Sequence, residues 1–205
     1  MKNLVILLTA AGIFAFCSNS QAQITDAWWD TPASGGPIWC TTQNYTGGIL
    51  YWTGGQNAAA SLTGRADLTG DPTLTLTTTV NNATSFAWNS YQVQVILGGS
   101  FSFVPPGPSV TTPSDWTVTS ATVAAGSGPY AGDYVGTLDL TAGTSIAIGD
   151  DLDFVYSINF ANFSDTIEFT QIMTPSSVPE PSVLALLPMG GMLLAMLRRN
   201  GRKSA

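Results

Sequence analysis

Residues 73–80, Thr-Leu-Thr-Leu-Thr-Thr-Thr-Val, alternate with a period of two. Leu74, Leu76, Thr78 and Val80 share one face, and Thr75, Thr77 and Thr79 share the other. That period belongs to a strand with one face against a core and one face against water. The pattern recurs along the chain. Tyr91, Val93, Val95 and Leu97 alternate with Gln92 and Gln94, and Phe101 and Phe103 follow the turn signal Gly98-Gly99. Leu152, Phe154, Tyr156, Ile158 and Phe160 alternate with Asp153, Ser157 and Asn159. Ile167 and Phe169 alternate with Glu168 and Thr170. Tyr134, Leu138 and Leu140 form a further candidate, in which Gly136 marks a bulge or a close approach. Trp116 and Val118 begin another, whose phase slips near Ser120 as a bulge would make it.

Turn chemistry separates these runs: Gly70-Asp71-Pro72, Asn81-Asn82, Gly126-Ser127-Gly128-Pro129 and Gly149-Asp150-Asp151. About eight short strands without a helical pattern predict an all-β domain over residues 23–172, an antiparallel β-sandwich of jelly-roll type. The proline-rich stretch Val104 to Pro113 reads as a stiff loop crossing one end of the sandwich. Residues 173–178 read as a Ser/Pro spacer.

The ends of the chain differ from its middle. Lys2 precedes an apolar run from Leu4 to Phe16, and Ser20-Gln21-Ala22 supplies small residues for a signal peptidase. Residues 1–22 therefore read as a secretory signal peptide cleaved before Gln23. A lipoprotein signal acylated at Cys17 fits poorly, since Phe16 stands where a small residue belongs. Of six Lys and Arg residues, only Arg65 lies outside the two ends. Twelve of thirteen acidic residues lie between residues 23 and 177, so that segment carries a formal charge of −11. Basic ends flanking an acidic middle predict that both ends stay on the cytoplasmic side and the middle is exported.

At the carboxyl end, Val178-Pro179-Glu180-Pro181 is followed by the uncharged stretch Ser182 to Leu197 and by Arg198-Arg199-Asn200-Gly201-Arg202-Lys203. Pro179 and Pro181 hold Glu180 in extended backbone. The sixteen uncharged residues would span roughly 24 Å as a helix, short of a hydrocarbon core of roughly 30 Å. Over 178–203 this tail resembles the PEP-CTERM sorting signal of Gram-negative bacteria. The resemblance implies recognition of Pro179, Glu180 and Pro181 by exosortase, a membrane protease-transpeptidase. It implies a stop signal at Arg198, Arg199, Arg202 and Lys203, and transient or stable residence in the inner membrane. It further implies a final place at the cell surface or in an extracellular matrix rich in exopolysaccharide. Hydrophobic helices are expected at both ends of the chain, flanking the sandwich.

Function classes narrow by composition. The chain has no histidine, which removes Ser-His-Asp and Cys-His catalysis and the common zinc sites. Nucleic acid is disfavoured, because phosphate binding needs clustered Lys and Arg. No cofactor is expected. Cys40 is the lone cysteine of the mature segment, and burial is the favoured reading over a nucleophile or an intermolecular link. Glu168 is its only glutamate, and scattered aspartates suit turns better than a paired catalytic role, so no enzyme is expected. Asp150, Asp151 and Asp153 crowd one strand entry and form a candidate Ca²⁺ site, against the plainer reading of a polar turn. The Asn-X-Ser/Thr triplets at Asn44, Asn82 and Asn162 are what an Asn/Thr-rich chain yields by chance.

Two functions from different classes follow. The first is an exported structural protein of the cell surface or matrix. The second is a carbohydrate-binding module that stacks sugars on exposed tryptophans. Trp28, Trp29, Trp39 and Trp52 crowd the start of the mature chain. In extended backbone Trp28 and Trp29 face opposite ways, so one of the pair is expected outside, while Trp88 and Trp116 read as core.

Overall fold

A computed structural model describes residues 23–30, 36–70, 72–160 and 166–177. Eleven strands form two sheets. They are β1 (Gln23–Asp30), β2 (Ile38–Thr46), β3 (Ile49–Gln56), β4 (Ala60–Thr69), β5 (Thr73–Asn82) and β6 (Trp88–Leu97), then β7 (Phe101–Thr112), β8 (Thr117–Ala125), β9 (Tyr134–Ile146), β10 (Asp151–Phe160) and β11 (Thr166–Ser176). One sheet has the order β1-β4-β11-β6-β9-β8, and the other β2-β3-β5-β10-β7.

The alternating runs do what their period requires. In β5, Leu74, Leu76, Thr78 and Val80 are buried, and the intervening threonines are half-exposed. In β10, Leu152, Phe154, Tyr156, Ile158 and Phe160 line the same core. Trp88, Tyr91, Leu138 and Phe169 meet them from the facing sheet. Burying one such side chain fully contributes about 1.5–3 kcal/mol, so these inward faces carry the stability.

Pairing from β4 onward is nested. Ala60 faces Met173, Val80 faces Leu152 and Ile96 faces Val135. Residues 60–173 thus form one long hairpin folding back about the turn Pro113–Trp116, rolled so that its pairs fall in alternate sheets.

Four expectations are corrected. The residues assigned to a loop over the sandwich end, 104–113, instead belong largely to β7, an edge strand paired with β10 through register shifts. An edge tolerates Pro105, Pro106 and Pro108 because only one side of such a strand must donate. Residues 173–176, assigned to a spacer, complete β11, with Met173 fully buried. The sheets are not wholly antiparallel, since β3 and β5 run parallel, joined through β4 in the facing sheet. Finally, four strands precede Thr73 where none was read. The helices expected at the two ends lie outside the described residues.

Buried polar groups pin the sheets together. Gln56 is fully buried, donates from Nε2 to the carbonyls of Ala58 and Met173 (both 2.8 Å), and accepts from the Tyr91 hydroxyl. Asn82 is equally buried; its Nδ2 donates to the carbonyls of Phe86 and Ile146, and its Oδ1 accepts from Thr84 Oγ1 at 2.7 Å. The triplet beginning at Asn82 is therefore a structural knot within the fold.

Candidate functional site

Outward-facing residues of β1, β4 and β11 come into register as a row. Trp28 lies opposite Arg65, and Arg65 opposite Glu168. Period two forces this arrangement: Trp29, Gly64 and Phe169 occupy the next register positions and turn inward. Trp29 is buried, meeting Phe169 edge-on with ring centroids 5.0 Å apart. Gly64 makes the meeting possible. A Cβ there would sit 2.6 Å from Phe169 Cζ and 2.9 Å from Trp29 Cε3.

Of the two adjacent tryptophans proposed for glycan contact, only Trp28 is exposed, at 38%. Its ring is not a bare platform, because the Arg65 guanidinium stacks over it 4.5 Å from the centroid. Arg65 Nη2 also donates to Asp67 Oδ1 at 3.5 Å, and Thr166 Oγ1 donates to the same oxygen at 2.8 Å. Arg65 Nε lies 3.4 Å from Asp67 Oδ1, a charge contact, yet among the described residues no acceptor stands in line with its N–H. Both partners keep roughly a third of their side chains in water, so the ion pair stabilises by at most about 1 kcal/mol. The stacked cation contributes about 0.5–1 kcal/mol. Around the row lies a shallow depression of about 300 Å³, lined by Trp28, Asp30, Thr63, Arg65 and Glu168 among others. It offers an aromatic face, a cation, two carboxylates and a hydroxyl, the groups that hold a polyhydroxylated ligand.

The acidic cluster does not assemble. The Asp150 carbonyl accepts from the Asn82 N–H at 2.8 Å, and Asp151 Oδ1 accepts from Asn81 Nδ2 at 2.8 Å. Asp153 stands further along β10, with Oδ1 buried and without a partner among the described residues. Among the described residues no three acidic or thiol groups converge as metal ligands. Asp150 and Asp151 serve the turn.

Cys40 is half-buried against the core, and desolvation raises its thiol pKa despite hydrogen bonds at the Thr42 and Thr53 backbone. Trp88, which opens β6, and Trp116, which stands just before β8, are core residues. Pro179, Glu180, Pro181, Arg198, Arg199, Arg202 and Lys203 lie outside the described residues, as do residues 1–22, expected to be a signal peptide. Among the described residues no helix is long and apolar enough to cross a membrane. Sequence reasoning isolated Arg65 as the one cation of residues 23–177 but missed it as the partner of Trp28. The signal for that was the register of β1 on β4, which Gly64 disguises. No protein-family model, curated protein or solved structure matches the chain.

Proposed function

We propose that this chain is a non-enzymatic, exported protein of the bacterial cell surface or exopolysaccharide matrix, sorted or anchored through its PEP-CTERM-like tail. The observation that carries the reading is the junction of fold and tail. Strand β11 ends at Ser176, and Ser177 alone separates it from Val178-Pro179-Glu180-Pro181. A sorting motif abutting a finished core can be removed without opening the sheet. The nested pairing of β4 to β11 supports a jelly-roll reading, a hairpin rolled so that successive strands alternate sheets. The acidic segment suits a solvated body in a polyanionic surrounding. Exosortase and the inner membrane are the partners this reading requires, and nucleic acid is not among them.

Mass spectrometry of the mature protein from its bacterial host tests it. An amino terminus at Gln23 and loss of residues 198–205 are expected. Recovery of an intact end from Arg198 to Ala205 in surface-located protein would sink the processing claim.

A second reading, glycan binding at Trp28, is favoured by the exposed ring beside Arg65 and Glu168. A sugar would take the part of the ring that Arg65 leaves open. Flat signals across a glycan array, unchanged by Trp28→Ala, would end it.

A further inference from the structure

Among the described residues the two sheets leave four lateral edges, and three of them are bridged or interrupted. Strand β1 is bridged to the β2–β3 hairpin by hydrogen bonds from the Ile24 N–H to the Gly47 carbonyl in its turn and from the Trp29 N–H to Gln43 Oε1. The Gln43 and Tyr45 side chains, bonded to the Trp29 N–H and the Thr25 carbonyl, bridge the facing edge of β2 to β1. Strand β7 carries Pro105, Pro106 and Pro108, which remove donors from its ladder. Strand β8 differs. Its sequence, Thr-Val-Thr-Ser-Ala-Thr-Val-Ala-Ala, has no charge, proline or glycine, and among the described residues its only ladder is with β9. Strand β7 runs close by, yet among the described residues no ladder joins the two. Alternate residues of β8 therefore turn backbone N–H and C=O groups away from β9, and no strand among the described residues receives them.

We propose that β8 is an assembly edge that pairs antiparallel with β8 of a second copy across a two-fold axis, joining two six-stranded sheets into one. Three observations select a second copy. An unpaired ladder is completed by another strand, not by a small ligand. Two bodies each carrying −11 over residues 23–177 repel except where they meet through an uncharged surface, and β8 is such a surface. Thr117, Val118, Thr119, Thr122 and Val123 are β-branched, which favours the strand in both partners. Val118 and Val123 pack toward the core, so the edge is already held in extended form before a partner arrives. A two-fold contact of this kind uses one patch twice and closes at a dimer. The inference does not depend on how the tail is handled.

Sedimentation velocity of the full-length chain in mild non-ionic detergent tests it. The dimer fraction should rise at least about threefold between about 0.1 M and about 1 M NaCl, as the screening length falls from about 10 Å to about 3 Å. Thr122 is exposed on the outer side of β8, so a charge there leaves the core intact. Thr122→Glu and Thr122→Lys should both weaken the dimer about tenfold or more, since either charge would be desolvated beside its own copy. Thr42→Lys on β2 should leave it unchanged. Near-UV circular dichroism checks that each variant is folded. A monomer at both salt concentrations overturns the proposal, as does a dimer indifferent to both Thr122 variants. So does a dimer that Thr122→Lys strengthens, because net charge alone would then govern it.

Discussion

The two lateral seams of this sandwich solve the same problem differently. Where β1 meets β2, the edges are stitched by the Ile24 and Trp29 backbone donors and by the Tyr45 hydroxyl, which donates to the Thr25 carbonyl at 3.1 Å. Where β7 meets β8, no hydrogen bond crosses among the described residues, and the β7 side is broken by prolines. Each unsatisfied backbone group is costly only if it is buried, so an open seam persists while water or another strand can reach it. The difference teaches that the fold is sealed at the Trp-rich amino-terminal side and left available at the other.

The largest expected effect ignores the seams and attacks the core they share. Tyr91 and Tyr156 are completely buried, and desolvation raises both phenol pKa values above the ordinary value. Folded protein therefore keeps two protons that the unfolded chain releases from about pH 10. The sign is fixed: stability is unaffected well below pH 10 and falls above it, by up to about 2.7 kcal/mol per pH unit for two groups. Chemical denaturation between pH 8 and 11 reads this slope. Tyr156 sits against Phe103 of β7, with centroids 6.0 Å apart, and its hydroxyl has no partner among the described residues. Tyr156→Phe should consequently cost nothing at neutral pH and roughly halve the alkaline slope. An unchanged slope would show that some other group controls alkaline unfolding.

Next in size is a substitution beneath the stitched seam. Gly64→Ala puts a methyl where Phe169 and Trp29 already close to 2.6 and 2.9 Å. Neither ring is a flexible tip, so an overpacking cost of about 1–3 kcal/mol is expected. Thermal unfolding would register it as a drop of about 2–4 °C per kcal/mol. Hydrogen exchange should show β1 amides losing protection while β8 amides stay as they were. Equal loss at both seams would mean that they are one cooperative unit and that the contrast between them is only geometric.

How far the sequence foretold this contrast depends on what carried the period. Strands β5, β6, β10 and β11 were legible because their own side chains alternate, and the slip near Ser120 reappears as the register shift between Val118 and Ser120. Gly136 was legible as a close approach, since a Cβ there would meet the Phe101 ring at 2.7 Å. The amino-terminal strands were not. At Gly55 the space a side chain would fill is taken by the ring of Trp39, from the neighbouring strand, 2.2 Å from a Cβ there, and at Gly54 by the Trp39 carbonyl and the Trp52 ring. A pattern completed by another strand's ring leaves no trace in local periodicity. Strand β7 was hidden by its prolines, whose tolerance depends on being at an edge, a property of the assembled sheet. For the site, alternation sufficed to say that one of Trp28 and Trp29 faces water. It could not bring Arg65 to that ring, because register between strands is set by the whole sheet.

Gln43→Ala removes the acceptor of the Trp29 N–H without touching the core, and about 1 kcal/mol is expected for a part-buried bond of this kind. The matched substitution near the open seam is Thr119→Ala, which deletes an exposed bond from Thr119 Oγ1 to the Asp139 carbonyl and should cost less than about 0.5 kcal/mol. Equal costs would remove the energetic basis for calling one seam sealed.

The smallest effect lies on the outer face beside the sealed seam. If the stacked Arg65 is what holds Trp28, a double-mutant cycle of Trp28→Ala and Arg65→Ala should give a coupling of about 0.5–1 kcal/mol. The same cycle with Glu168→Gln separates two origins of that coupling. Arg65 lies between Trp28 and Glu168 in the register, so a guanidinium steered mainly by the carboxylate would lose most of its coupling to Trp28 when Glu168 is neutralised. If Asp67 does the steering, as its oxygen 3.4 Å from Nε suggests, Glu168→Gln leaves the coupling intact. In that case Glu168 faces the depression without a structural duty, and the carboxylate is free to meet a ligand. A coupling below about 0.3 kcal/mol would instead leave the Trp28 ring unclamped, and the amino-terminal face would then be held by its seam alone.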